Sequence, residues 1–464
     1  GRLDYLRSMG VVTIGIVCAL LLALTLLPSV LMLIGDRIFW PSRFDRQVKR
    51  RENGYFTRSA KFSIRHAKAI LVAAVLISIP ATYLVFTVET SYDYIESMPN
   101  TQAKEGLDVL TEGFGGGKVV PTYVGLELDG PLYNASGAWN VEYLDTVNNV
   151  SLELMEFTNV KKVYSPTQPY GDQIDYKNIT GNISISAQLY NQYMRTMIGD
   201  DTRSVLMTVI FVQEPFSRTS FETIDDMRDQ IEKDNENSKV LAAAYVGGGT
   251  AMMYDITALT QADFQIITMV VIAGIFLVLM LVLGSVLNPL RSVLTILISI
   301  SWTLAVALLV FEHGFGQSLN WMVPLILLVV CLGLGMDYDI LLSTRVREET
   351  HRGRTNNEAI IYSVEQTGGI ITACGIIMAG AFGTMMLSQG WLLREFGFAL
   401  MFAILLDATI VRIYMVPAIM SLLGKWNWWA PGPLQRTRLD HQEDGADAKA
   451  AEEVALKEVE RGNN

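Results

Sequence analysis

The stretch LGLGMDYDILLSTRVREET, residues 332–350, follows directly on WMVPLILLVVC, residues 321–331. Together they give an apolar run over about 321–343, and crossing a bilayer takes about 20 apolar residues. Inside that run sit Asp337, Tyr338 and Asp339. A carboxylate at mid-membrane costs about 2.5–3.5 kcal/mol on insertion scales, so it persists where it faces a partner, a cavity or a proton path. Asp337 and Asp339 are about 200° apart on a helix. One can point into a helical bundle while the other turns to another helix or to the rim. Gly333 and Gly335 are expected to let a neighbouring helix approach closely. Tyr338 is expected to donate a hydrogen bond to a carboxylate on a neighbouring span. VREE, residues 346–349, reads as a solvated helix end.

The rest of the chain agrees with a membrane setting. Half of its 464 residues are hydrophobic, 50% by count, and the mean hydropathy is +0.30. Seven runs are long enough to span: roughly 10–34, 69–88, 264–287, 290–311, 321–343, 368–388 and 395–423. The net charge of -11 gives no basic footprint for nucleic acid. The three cysteines, Cys18, Cys331 and Cys374, lie in apolar runs, and the four histidines are scattered. No disulfide framework, metal site or cofactor is implied.

Basic residues set the orientation. Segment 37–68 carries ten Lys or Arg residues, Arg37 to Lys68, and reads as a cytoplasmic linker. Alternation then places Arg345, Arg347, Arg352 and Arg354 inside, with the tail after 424. The loop EHGFGQS (312–318) and the long polar region 89–262 fall outside. The basic segment 43–68 could also lie along anionic lipid.

A repeat suggests duplication. LTLLPSVLMLIGDRIFWP (24–41) aligns without gaps with IYMVPAIMSLLGKWNWWA (413–430). Pro28 meets Pro417, Gly35 meets Gly424 and Trp40 meets Trp429, at a constant offset. Both copies run from outside to inside, as in a transporter with parallel halves. On that arithmetic roughly 350 residues, with five spans and a first external domain, would precede Gly1. Charge appears only in the second copy, where Asp407 stands opposite Cys18 and Arg412 opposite Ala23. Arg412 is five residues after Asp407, off its α-helical face, and is expected to pair with an aspartate of another helix.

Region 89–262 mixes both periodicities. Strands are expected within 118–128, 160–165, 203–215 and 241–249, and helices within 139–157, 183–198 and 219–234, the last capped by Thr219 or Ser220. This order points to a compact α+β domain of ferredoxin-like units, two of them on this reading. Asn134, Asn149, Asn178 and Asn182 head Asn-x-Ser/Thr sequons, glycosylation candidates that all fall in this region.

Burial and a neighbouring cation act oppositely on a carboxyl's hold on its proton. A carboxyl poised between them can load from one side and release to the other. Asp337, Tyr338, Asp407, Asp339 and Arg412 are therefore the expected proton relay.

With these residues identified, the chain resembles the resistance-nodulation-division superfamily. It is most similar to the mycobacterial-membrane-protein-large lipid exporters and to archaeal hydrophobe/amphiphile exporters. GLGMDYDILLSTRVREE (333–349) matches that family's tenth-span signature, and LLDATIVRIYMVPAIMSLLG (405–424) its twelfth. GSVLNPLRSVLTILIS (284–299), GGIITACGIIMAGAFGTMM (368–386) and SYDYIESMPNTQAKEGLDVLTEGFGGG (91–117) read as its eighth-to-ninth, eleventh and periplasmic-entry segments. The resemblance implies a twelve-span fold with a porter domain in each half, and export of hydrophobic or amphiphilic molecules driven by the proton-motive force. Its tenth-span Asp-Tyr pair falls on Asp337 and Tyr338, facing a matching pair on the fourth span of the first half.

The expected architecture is thus a seven-span α-helical membrane bundle with an extracytoplasmic α+β porter domain. Residues 1–36 hold the last span of the first half, 37–68 the basic linker and 69–88 the first span of the second half. Residues 89–262 form the porter domain, 263–424 a five-span bundle and 425–464 a cytoplasmic tail. The expected partners are an N-terminal half of the same protein, hydrophobic cargo, membrane lipids, protons and further copies in a homo-oligomer. The competing readings are a non-pumping lipid or sterol sensor and a protein-export accessory. No nucleophile–base constellation or phosphate loop points to an enzyme.

Overall fold

A computed structural model describes residues 12–35, 37, 54–87, 90–92, 98–99, 101–134, 138–180 and 185–430. Trp40 of the repeat, Asn182, residues 38–53 of the basic linker, part of the entry segment and the tail from 431 lie outside these. The chain divides into two compact units, one comprising residues 91–262 with 389–391, the other the remainder.

The second unit carries the membrane spans. Its helices are α1 (Val12–Ile34), α2 (Tyr55–Arg65) and α3 (Ala67–Thr87). In the first unit α4 (Gln102–Phe114) has its N-terminus capped by Thr101, whose side chain accepts from the Lys104 amide at 3.4 Å. The sheet there is built from β1 (Thr122–Leu128), β2 (Val160–Tyr164), β3 (Ser204–Phe211) and β4 (Leu241–Gly248). Helix α5 (Val141–Glu156) joins β1 to β2, α6 (Ile185–Arg195) lies between β2 and β3, and α7 (Arg218–Asn237) joins β3 to β4.

The strand order is β2-β3-β1-β4, with every neighbouring pair antiparallel. Each strand–helix–strand crossover thus returns beside a strand inserted between its own two, the interleaving of a split βαβ fold. Among the described residues there is this one sheet and not two: the four strands expected for two units pair into a single sheet. Alternation on β1 buries Thr122, Val124, Leu126 and Leu128. Leu144, Val147, Val150 and Leu154 on α5, and Ile224, Met227 and Ile231 on α7, complete the core at helical spacing. The cap of α7 is Ser217, whose Oγ accepts from the Ser220 amide at 3.3 Å. Thr219 and Ser220, the expected caps, lie inside the helix, and Ser220 is buried, its hydroxyl donating to the Glu214 carbonyl at 2.7 Å. Gly248 closes the sheet at φ +102°, where a Cβ would sit 2.9 Å from the Pro121 carbonyl oxygen. Asn134, Asn149 and Asn178 are exposed, but Ser151 of the second sequon is buried.

Helix α8 (Gly249–Leu283) starts within the first unit and continues without a break into the membrane unit. It is followed by α9 (Leu287–Leu308), with a π-helical turn at Leu309–Phe315, and α10 (Met322–His351). Then come α11 (Asn356–Gly383) and α12 (Trp391–Leu406), which passes into a π-helical segment (Asp407–Met415) and α13 (Val416–Leu423). Among the described residues, seven helical stretches are long and apolar enough to cross a membrane.

Part of the basic linker is the helix α2, packed on α11: a Cβ at Gly368 would lie 2.6 Å from the Phe56 ring. The bundle also runs past 424. Residues Gly424–Trp428 form a 3-10 turn in which Asn427 and Trp428 are buried, and Ser285 Oγ donates to the Asn427 carbonyl at 2.6 Å. The aligned glycines of the repeat, Gly35 and Gly424, share positive φ values of 53° and 52°.

Candidate functional site: a buried charge network

Four charged side chains meet inside the bundle. Asp339 on α10 has a fully buried side chain, and Arg291 Nη2 on α9 reaches its Oδ2 at 2.7 Å. Ser292 Oγ donates to the same oxygen, and Arg412 Nη1 to Oδ1. Arg412 also donates to the Gly335 carbonyl, and its Nε and Nη2 both lie 3.2 Å from Asp407 Oδ2. Asn288 Oδ1 and Ser343 Oγ accept from Arg291 at 2.6 and 3.1 Å. Two arginines and two aspartates make the cluster formally neutral, which is how a low-dielectric interior tolerates charge.

Local geometry explains why these residues converge. At α-helical pitch, residues five apart diverge by about 140°. The π-helical segment adds a residue per turn, which returns Arg412 to the side of Asp407. Arg412 therefore pairs with Asp407 as well as with Asp339. Gly335 has no side chain to intervene: a Cβ there would sit 3.2 Å from Ile296 and 3.6 Å from Asp407 Oδ2. A small pocket beside the cluster is lined by Gly335, Tyr338, Cys331 and Asp407 among others. Asp407 Oδ1 and Arg291 Nε and Nη1 are buried without partners among the described residues.

The two aspartates of the MDYD stretch, residues 336–339, take opposite places. Asp339 enters the core, whereas Asp337 is exposed and makes no ion pair or hydrogen bond among the described residues. Gly333 is exposed on the same face, with nothing within 4 Å of a Cβ, so it packs no helix here. Leu341 continues that stripe one turn on. Tyr338 is buried, and its hydroxyl lies 2.8 Å from the Met378 sulfur rather than against a carboxylate.

Two buried charged residues, one in the network and one at the end of α10, escape a reading by motif. Arg291 sits in LNPLRSVL at the edge of a span, where a basic residue reads as a topology marker. Glu349, expected in solvent, is 1% exposed and accepts from Arg352 at 2.7 Å, Arg354 at 2.9 Å and Arg345 at 3.3 Å. It ties the end of α10 to the turn before α11.

The chain as a whole, rather than this network in particular, is similar to known proteins. The model of the MMPL family matches residues 1–70 and 154–442, and the chain belongs to that family. Among curated relatives it is 28% identical over 454 residues to the membrane protein ActII-3 of Streptomyces coelicolor, covering 96% of this chain and 55% of the relative. It is 25% identical over 434 residues to the apo-petrobactin exporter of Bacillus anthracis, covering 89% and 52%. It is 30% identical over 250 residues to the transport protein MmpL10 of Mycobacterium leprae, covering 54% and 25%. The chain spans about half the length of the first two of these relatives. It is a multi-pass membrane protein of a transporter family, placed in the plasma membrane.

Proposed function

We propose that the chain forms one half of an exporter of lipids or other hydrophobic or amphiphilic molecules, driven by the proton-motive force. The observation that carries this is the division of labour on α10. Asp339 is locked into a neutral cluster with Arg291, Arg412 and Asp407, while Asp337, one turn from Gly333, keeps a carboxyl free on an open helix face. In this reading Asp337 carries the proton and Tyr338 borders it. Asp407, with one unpaired carboxylate oxygen, is the point where the network can respond.

A companion half would cover the stripe of Gly333, Asp337 and Leu341, the small residue admitting a close helix contact. The unit 91–262 would serve as a ferredoxin-like porter domain on the extracytoplasmic side. Cargo, protons, membrane lipids and further copies of the protein are the proposed partners. The names of two relatives, an apo-petrobactin exporter and a heme uptake protein of Mycobacterium tuberculosis, support a transport role. The test is transport of a fluorescent amphiphile in proteoliposomes holding both halves. Transport should follow an imposed pH gradient and stop when a protonophore collapses it. Transport indifferent to the gradient would refute the proton-driven reading.

A further inference from the structure

Helix α2 has two unlike faces. Thr57, Ser59, Ala60 and Ser63 are buried. Arg58, Lys61 and Arg65, at spacings of three and four, form one exposed stripe, and Lys68 follows just past the break at His66. At about 100° per residue these three cations fall within about 60° of each other. Residues 54–87 contain no Asp or Glu, and no ion pair engages the stripe among the described residues. Phe62 is 51% exposed beside it. The helix leads through one residue into α3, a membrane span.

We infer that this face of α2 binds the phosphate headgroups of anionic phospholipids. An exposed row of cations flanked by an aromatic ring, joined to a span, is the composition that settles at a membrane surface. The absence of any acid along the helix and its following span leaves the cations uncompensated, and anionic headgroups supply the complementary charge at that depth. Three such cations contribute on the order of a hundredfold in lipid affinity.

The opposite face carries the consequence. Ser63 Oγ donates to the Ile413 carbonyl at 3.2 Å, and Tyr55 Oη and Ser59 Oγ lie 3.1 and 3.4 Å from Tyr414 Oη. Ile413 and Tyr414 follow Arg412 directly in the π-helical segment. Lipid held on α2 therefore stabilises the element that presents Arg412.

The test is thermal unfolding of the purified chain in neutral detergent, titrated with short-chain phosphatidylglycerol. Phosphatidylcholine, inorganic phosphate and polyglutamate run in parallel. Phosphatidylglycerol should raise the melting temperature, phosphatidylcholine should not, and high salt should suppress the shift. The triple variant Arg58→Gln, Lys61→Gln, Arg65→Gln should need on the order of a hundredfold more phosphatidylglycerol for the same shift. Lys61→Gln alone, altering one exposed side chain, should show a smaller loss and serves if the triple variant folds poorly. An undiminished lipid response in the variants would overturn the inference. So would stabilisation by inorganic phosphate alone, or by polyglutamate without a response to lipid, which would make the stripe a protein-binding face.

Discussion

Arg412 lies five residues beyond Asp407 on one continuous helix, yet its Nη2 stands 3.2 Å from the Asp407 carboxylate. The π-helical segment makes that contact. It also lets one guanidinium join α10, through Asp339 and the Gly335 carbonyl, to the last span.

Charge balance in this cluster should control stability. Arg412→Met leaves two buried carboxylates for one arginine and should destabilise the chain by about 3–5 kcal/mol. Arg412→Met with Asp407→Leu restores neutrality and should recover part of that loss. Thermal unfolding in detergent compares the two. A double variant less stable than the single one would show that packing, not charge, dominates.

Close packing behind the cluster should be equally sensitive. A Cβ at Gly375 would lie 2.3 Å from the Ala408 Cβ, whereas one at Gly333 meets nothing within 4 Å. Gly375→Ala should cost about 1–3 kcal/mol through overpacking. Gly333→Ala, in open space within a helix, should not lower the melting temperature of the isolated chain. The same unfolding experiment reads both.

The unit 91–262 should have its own pH signature. Gln230 Nε2 bridges Glu153 and Asp234 at 3.1 Å each. Burial, then the hydrogen bond and charge of Glu153, push the Asp234 carboxyl up to about 6 from 3.8. A raised carboxyl favours the fold below its unfolded value and loses that contribution as pH rises through the folded one. Stability from this pair should therefore fall between 3.8 and about 6 as pH increases. Asp234→Asn should flatten that window and leave the unit more stable at neutral pH. Asp145 works in the opposite sense: the Tyr176 hydroxyl at 2.5 Å holds its carboxyl low. Acidification should weaken that contact, so Asp145→Asn should lessen the loss of stability in acid. Melting temperatures across the pH range separate the two effects.

Much of this architecture is legible in the sequence because hydropathy and period are local properties. The runs ending at Ile34 and in α9 are apolar over a bilayer's width, and β1 alternates as a half-buried strand does. Pairing is not local. Whether 122–128 and 241–248 join one sheet or two depends on contacts across more than a hundred residues. Asp337, Asp339, Asp407 and Arg412 stand out because charge is rare in apolar runs. Which aspartate enters the core depends on the rotation of α10, which spacing leaves open. Arg291 sits near a span end where basic residues are ordinary, so no local signal separates it from a topology marker. The π-helical turn has no sequence period to betray it, and Glu349 reads as solvated until its three arginines are placed around it.

The most direct measurement is export by the complete transporter in proteoliposomes under an imposed pH gradient, comparing wild type with Asp337→Asn and Tyr338→Phe. Asparagine keeps the size and much of the hydrogen bonding of Asp337 but removes its titratable proton. A carrier so altered has no charge change left to shift one state to the other. Asp337→Asn should abolish proton-driven export while the protein level and melting temperature stay normal, and Tyr338→Phe should weaken it less. Export by Asp337→Asn at the wild-type, gradient-dependent rate would contradict the assignment and move the proton path to Asp407 and Asp339.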